Sequence, residues 1–268
     1  MPAEIQPLKD TQNERDDRNI AIDRVGVKAL RFPVEVREKE GGSQRTVATT
    51  ALAVDLPEHF KGTHMSRFVE VLNSHGNCLD VREMQKVPQE LLERLEASRA
   101  HVEFQFPFFR TKPAPVTGKG GVLDYEVKFE VESRKDGTSD FICTVMVPVA
   151  TLCPCSKAIS DYGAHNQRGL VTFAVRAKQP IWVEDLIDLV EQSASCELYS
   201  LLKRPDEKYV TERAYDNPVF VEDLVRNIAG KANAQDNIVW YKVEAENFES
   251  IHNHNAYAMI EKVNEETS

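Results

Sequence analysis

Residues 139–177 read SDFICTVMVPVATLCPCSKAISDYGAHNQRGLVTFAVRA. Two stretches within them, Ser139 to Val149 and Leu170 to Ala177, are rich in β-branched and aromatic residues and read as strands. Between them lies a polar connection that carries Cys153, Pro154, Cys155 and His165. A turn at Asp136-Gly137 leads into the first strand.

The same kinds of element extend outward in both directions. Upstream, Gly26 to Glu38 is extended, with Pro33 at an irregular or edge position. Arg45 to Leu56 alternates β-branched and small residues and reads as a strand. A helix follows, capped by Thr63 or Ser66, with Met65, Phe68, Val69 and Leu72 at helical spacing and Gly76 as its stop. A second helix runs from about Pro88 to Ser98 with Leu91, Leu92 and Leu95 on one face. Strands at Ala100 to Phe109 and Gly121 to Ser133 flank a loop, TKPAPVTGKGG. Downstream, helices are expected at Pro180 to Glu191, with Ile181, Leu186, Ile187 and Val190 inward, and at Pro218 to Ala229. Strands close the chain at Asn237 to Glu246 and Tyr257 to Val263. Each half therefore reads strand, strand, helix, helix, strand, strand, a repeat of element order without sequence self-similarity. The expected class is α+β. Residues 1–25 form a loosely held, flexible arm, 26–135 a first module and 136–268 a second module that carries the Cys/His segment.

Composition bounds the function. Of 268 residues, 33 are Lys or Arg and 43 are Asp or Glu, a formal charge of −10. Such a balance disfavours a broad nucleic-acid surface and docking on anionic membranes. No apolar run approaches the roughly 20 residues of a membrane helix. Met1 to Arg24 lacks the apolar core of a secretory signal. Five cysteines, at 78, 143, 153, 155 and 196, make no disulfide framework. A reducing cytoplasm is the expected setting.

Thiol and imidazole are preferred ligands of zinc and iron. The Cys-Pro-Cys…His spacing is not that of a zinc finger, so a metal here needs remote ligands or an open position, the mark of a catalytic site. A redox Cys-x-Cys pair, or plain packing and surface roles, are the other readings. In IHNHN, residues 251–255, His252 and His254 share a face if the segment is extended. The charged segment 202–222 reads as a solvated loop by composition; in it Glu207 or Asp206 can complete a metal shell, and Glu222 sits among Val219, Phe220, Val221 and Leu224. In HFKGTHMSRF, residues 59–68, a helix start joins Lys61, His64, Ser66 and Arg67, a setting for an anion or an ordinary basic helix start.

Taken together, KGTHMSRF (61–68), TLCPCSKAISDYGAHNQRG (151–169), RPDEKYVTERAYDNP (204–218) and ESIHNHNA (249–256) resemble the type IB GTP cyclohydrolase I family. The resemblance covers nearly the whole chain from about residue 20. It implies the tunnelling fold, two tandem ββααββ modules with antiparallel sheets, in a homotetramer with active sites at subunit interfaces. It implies conversion of GTP to 7,8-dihydroneopterin triphosphate with release of formate, the first step towards folates and, in bacteria, queuosine. It implies one divalent metal per active site: zinc, manganese or iron. By match to the family's positions, Cys153, His165, Glu207 and His252 are the metal ligands and Glu222 anchors the guanine edge. Cys155 is the second motif cysteine, beside the metal and able to pair with Cys153 on oxidation. Cys153 and His254 are the catalytic residues, with His254 moving a proton. Lys61, His64, Ser66, Arg67, Lys157 and Arg168 are candidate triphosphate contacts. The same fold also hosts a nitrile reductase acting on a queuosine precursor, and a non-catalytic metal or nucleotide module is a third reading.

Overall fold

The computed structural model describes residues 10–263 apart from 13, 76, 77, 80 and 85. Its first elements are β1 (Ile22–Arg37), β2 (Ser43–Leu56), α1 (Met65–Ser74), β3 (Cys78–Leu79), α2 (Val81–Met84), α3 (Lys86–Leu95), β4 (Arg99–Pro113) and β5 (Gly120–Arg134). There follow β6 (Ser139–Leu152), α4 (Pro154–Ile159), β7 (Asn166–Ala177), α5 (Val183–Glu191), β8 (Cys196–Glu197), α6 (Arg204–Asp216), α7 (Val221–Asn233), β9 (Ile238–Asn247) and β10 (Ala256–Val263). The chain forms two compact units. The first comprises the described residues up to Val34, then Thr49–Phe104 and Glu130–Asp140; the second comprises Glu35–Ala48, Gln105–Phe129 and the described residues from Phe141 on. A boundary at 135/136 divides the chain by element order, whereas these units divide it by packing.

In the first unit the strand order is β5-β4-β2-β1-β3. Strand periodicity turns Ala100, Val102 and Phe104 of β4 into the core and leaves His101 and Glu103 on the other face. Phe68, Val71 and Leu72 of α1 and Val87, Pro88 and Leu91 of α3 are buried, and the two helices pack together. Met65 and Val69, expected on the apolar face, are 41% and 37% exposed, because the stripe centres on residues 68, 71 and 72. His64 occupies the N-cap of α1 with no side-chain cap bond, so neither Thr63 nor Ser66 has that role. Gly76, the expected stop, lies outside the described residues. A side chain on Gly26 would meet the Leu52 carbonyl oxygen at 1.9 Å, so only glycine permits this approach of β1 to β2. Of the expected arm, residues 1–9 and 13 lie outside the described residues. The described part is tied down: the N–H groups of Asp16, Lys61 and Gly62 donate to the carbonyls of His59, Glu14 and Gln12 at 3.1, 3.2 and 3.1 Å.

In the second unit the order is β10-β9-β7-β6-β5-β4-β2-β1, with β8 paired to β6 off that path. The pairs β6–β7, β7–β9 and β9–β10 are antiparallel. Val145, Val147 and Val149 of β6, Val171, Phe173 and Val175 of β7 and Tyr241, Val243 and Ala245 of β9 are buried. Helix α7 covers β9 and β10 and helix α5 covers β7. Side chains such as Leu224 and Ile228 of α7 are fully buried, each stabilising the fold by about 1.5–3 kcal/mol.

Two sequence expectations change in this unit. The strands take both ends of the expected 111–121 loop, leaving a turn in which Ala114 N–H donates to Lys119 O at 2.9 Å and Gly118 N–H to Ala114 O at 3.0 Å. The charged segment read as a solvated loop is largely the helix α6, and a short helix, α4, begins inside the Cys/His segment. Three helices, rather than two, therefore separate β7 from β9, interrupted by the two-residue β8.

Candidate functional site

Several motif segments converge on one end of the second unit's sheet. Strand β6 ends at Leu152, opposite Asn166 at the start of β7. Just beyond, Cys153 N–H donates to the His165 carbonyl at 3.1 Å. Val219 N–H donates to the Leu152 carbonyl at 3.0 Å, which brings the start of α7 to the same place. Gly169 on β7 faces Asn247 at the end of β9, and Phe248 N–H donates to the Arg168 carbonyl at 2.9 Å. The loop carrying His252 and His254 therefore leaves from this end too.

Cys153 is half-buried at the N-cap of α4, with Pro154 in the first turn, and its Sγ accepts the Ser156 N–H at 3.4 Å. Ser156 Oγ donates to the Cys153 carbonyl at 3.1 Å and accepts the His165 N–H at 3.2 Å. His165 Nδ1 lies 3.0 Å from Gln167 Oε1, and Gln167 Nε2 donates to Thr151 Oγ1 at 3.0 Å. That second bond leaves Oε1 as the acceptor, so the ring proton sits on Nδ1 and the Nε2 lone pair is left for another partner.

His252 and His254 are exposed, and their rings stack at 5.0 Å with 17° between planes. They reach one side through a bend rather than an extended strand. Glu207 and Glu222 are exposed in the first turns of α6 and α7. The apolar setting expected for Glu222 does not arise within the chain, because α7 turns Val221, Leu224 and Val225 inward and Glu222 outward. Cys155 is exposed, whereas Cys143 and Cys196 are buried. Burial pushes the Cys143 thiol up to about 12, and burial with the neighbouring Glu197 carboxylate pushes Cys196 up to about 11.

Most of the candidate triphosphate contacts hold protein groups. In the first unit Lys61 Nζ is 2.6 Å from Glu14, His64 Nε2 is 3.3 Å from Asp10, and Arg67 donates to the Arg94 carbonyl at 3.1 Å. In the second, Lys157 donates to the Tyr215 carbonyl and lies 4.2 Å over that ring. Ser66 and Arg168 are exposed.

Among the described residues, only His101, Glu103 and Glu130, in the first unit, bring three ligand atoms within 4.8 Å of one another, a group that could hold a metal ion. Cys153, His165, Glu207 and His252 do not close into such a group in the single chain. The sequence reading missed the His101 group. The i, i+2 spacing of His101 and Glu103 was visible, but Glu130 joins only through strand pairing. Burial, with Arg24 nearby, holds the His101 imidazole below its usual range and so favours the neutral form.

A family model described as type I GTP cyclohydrolase folE2 matches residues 8–258. The chain belongs to this GTP cyclohydrolase family. It is 65% identical over 260 residues to GTP cyclohydrolase FolE2 of Akkermansia muciniphila, covering 96% of this chain and 98% of that protein. It is 56% identical to the FolE2 of Nitrosococcus oceani, covering 98% of each. Among solved structures, uricase from Arthrobacter globiformis superposes with a TM-score of 0.53 at 8% identity, covering 92% of this chain and 94% of that one. Urate oxidase from Bacillus sp. TB-90 gives 0.52, also at 8%, covering 90% of this chain and 100% of that one. At that identity the likeness is one of fold, the tunnelling fold, and not of chemistry. Within the FolE2 family frame, none of the described helices is long and apolar enough to cross a membrane.

Proposed function

We propose that this GTP cyclohydrolase opens the guanine ring of GTP by hydrolysis at C8 and rearranges the product to 7,8-dihydroneopterin triphosphate, releasing formate. Full-length relatives favour this over the nitrile-reductase and binding-module readings. The observation that carries the site is the pairing of Cys153 with a His165 whose free Nε2 is oriented by Gln167 and Thr151. A borderline-soft donor set of Cys153, His165, Glu207 and His252 fits one zinc, manganese or iron ion. When bound, the metal supplies a water activated near neutral pH. His254, stacked on His252, moves a proton to the departing ring nitrogen. Glu222 accepts hydrogen bonds from the guanine N1–H and exocyclic amine, a pair that adenine cannot offer. Cys155 would stand beside the metal, and a two-electron oxidant would join its sulfur to that of Cys153 with loss of both thiol protons.

The ligands close around the metal when subunits assemble, as a homotetramer with the site at an interface. Tyr162 is 100% exposed and Ile159 84% exposed on the motif segment, an apolar surface that suits a neighbouring subunit. We read the chain as a 1–25 arm with tandem modules at 26–135 and 136–268, working in the cytoplasm, where its product feeds folate and queuosine synthesis. Lys61, Ser66 and Arg168 are exposed among the candidates for the triphosphate; Lys61, His64, Arg67 and Lys157 would bind it by exchanging their present partners.

The test is GTP turnover across a zinc, manganese and iron series, read as formate and as an oxidised fluorescent pterin. Cys153→Ala should lose both turnover and bound metal. Absence of both products from metal-loaded protein would sink the reaction; retention of metal by Cys153→Ala would sink the ligand assignment.

A further inference from the structure

Helix α6 lacks the apolar stripe by which most surface helices dock: only Asp206 and Ala214 of its 13 residues are buried. Polar contacts must therefore set its position. At its far end, Arg213 donates to Glu197 Oε1 at 2.9 Å, and the Tyr215 carbonyl accepts Lys157. At its near end the Asp206 side chain is wholly enclosed, with 0% exposure. Asp206 Oδ1 accepts the N–H groups of Val116 and Thr117, both at 2.9 Å. Oδ2 accepts the Thr117 hydroxyl and the Lys203 N–H, both at 2.8 Å. Four donors fill the acceptor capacity of a carboxylate, and each bond is charge-assisted. The chain entering α6 is close to β5 as well, since a side chain on Gly121 would meet Ser200 Oγ at 2.4 Å.

We infer that Asp206 is a positioning residue for the metal centre. It pins the first turn of α6 to the β4–β5 turn and so sets where the Glu207 carboxylate stands. With both oxygens filled, Asp206 is not itself a ligand, which separates the two acids that the sequence left as alternatives. The inference rests on the reading of Glu207 as a metal ligand. Losing the Asp206 bonds would free the near end of the helix to swing about its far-end contacts, and the ligand with it.

The test is Mn²⁺ and Zn²⁺ affinity of the purified full-length protein, measured by competition with a chromophoric chelator. Four proteins are compared: wild type, Asp206→Asn, Glu207→Gln and the double variant. Asp206→Asn should weaken binding by about ten- to a hundredfold, as loss of an outer-shell partner does. Glu207→Gln should weaken it at least as much, and the double variant no further, because Asp206 acts through Glu207. Wild-type affinity in folded Asp206→Asn overturns the inference. So does an Asp206→Asn loss that persists undiminished in the Glu207→Gln background, which is what a general structural or charge effect would give. If Glu207→Gln itself binds metal like wild type, the ligand assignment fails and the inference goes with it, an outcome distinct from the first two. Should Asp206→Asn not fold, Thr117→Val removes one of the four bonds and reads the same coupling. A weaker loss that vanishes in the Glu207→Gln background supports the inference, and unchanged affinity overturns it.

Discussion

Helices α6 and α7 are each 13 residues long and adjacent in sequence, but different forces hold them. Helix α7 buries Val221, Leu224, Val225, Ile228, Ala229 and Ala232 along one stripe. Helix α6 buries only Asp206 and Ala214 and is fastened by carboxylate, guanidinium and backbone contacts. Burial of an apolar stripe is strong and non-directional, so it secures a helix without fixing its ends finely. Hydrogen bonds to a buried carboxylate are directional and place a particular turn. The contrast teaches that an apolar stripe seats α7, whereas directional polar contacts seat α6.

The largest effect should come from Glu222→Ala, an exposed change on the well-packed helix. Formate release should be abolished while the urea midpoint implies a stability within about 0.5 kcal/mol of wild type. Turnover near the wild-type rate would remove Glu222 from the guanine site. Two residues on, Leu224→Ala should do the reverse, costing about 2–5 kcal/mol of stability by opening a cavity in a fully buried position. A cost under about 1 kcal/mol would show that the α7 stripe does not carry its docking. On α6, Arg213→Ala removes a partner of Glu197 that is 38% exposed. Solvent screening limits that loss to about 1 kcal/mol or less in the same unfolding assay, and a cost like that of Leu224→Ala would erase the contrast between the helices.

Acid should separate the two helices most gently. Burial raises the Glu197 carboxyl, but the Tyr199 hydroxyl, a backbone N–H, Arg213 and Lys112 outweigh it and hold the group below its ordinary range. A carboxylate with a depressed folded pKa stabilises the native state fully above the unfolded value of about 4.3 and loses that contribution as pH falls below it. Hydrogen exchange of α6 amides, corrected for intrinsic rate, should therefore quicken between about pH 4.5 and 3. The α7 stripe has no titrating group, and equal acceleration of both helices would refute the separate fastening of α6.

The same contrast explains how much could be read in advance. The strands of 139–177, the stripe of α5 and the span of α7 were legible because burial imposes a period of two or 3.6 on apolar residues. Helix α6 was not, because RPDEKYVTERAYD carries no such stripe and composition alone reads it as solvated loop. Likewise the sequence shows Lys61 and His64 as available hydrogen-bond donors, although Glu14 and Asp10 meet them in the folded chain. Glu222 seemed to lie in an apolar setting because its sequence neighbours are apolar, whereas a helix sends adjacent residues to different faces.

By itself the sequence determined the α+β class, the tunnelling fold by resemblance, the family, and the identity of the cysteine, histidines and acids proposed for the site. These follow from periodicity and from residue types at fixed order along the chain. Only the tertiary structure decided that Gln167 turns His165 to leave Nε2 free, that Asp206 is spent on four donors while Glu207 faces outward, and that His101, Glu103 and Glu130 meet across two strands. Such facts depend on which groups distant in sequence come within hydrogen-bonding reach, and strand register and helix docking set that separation.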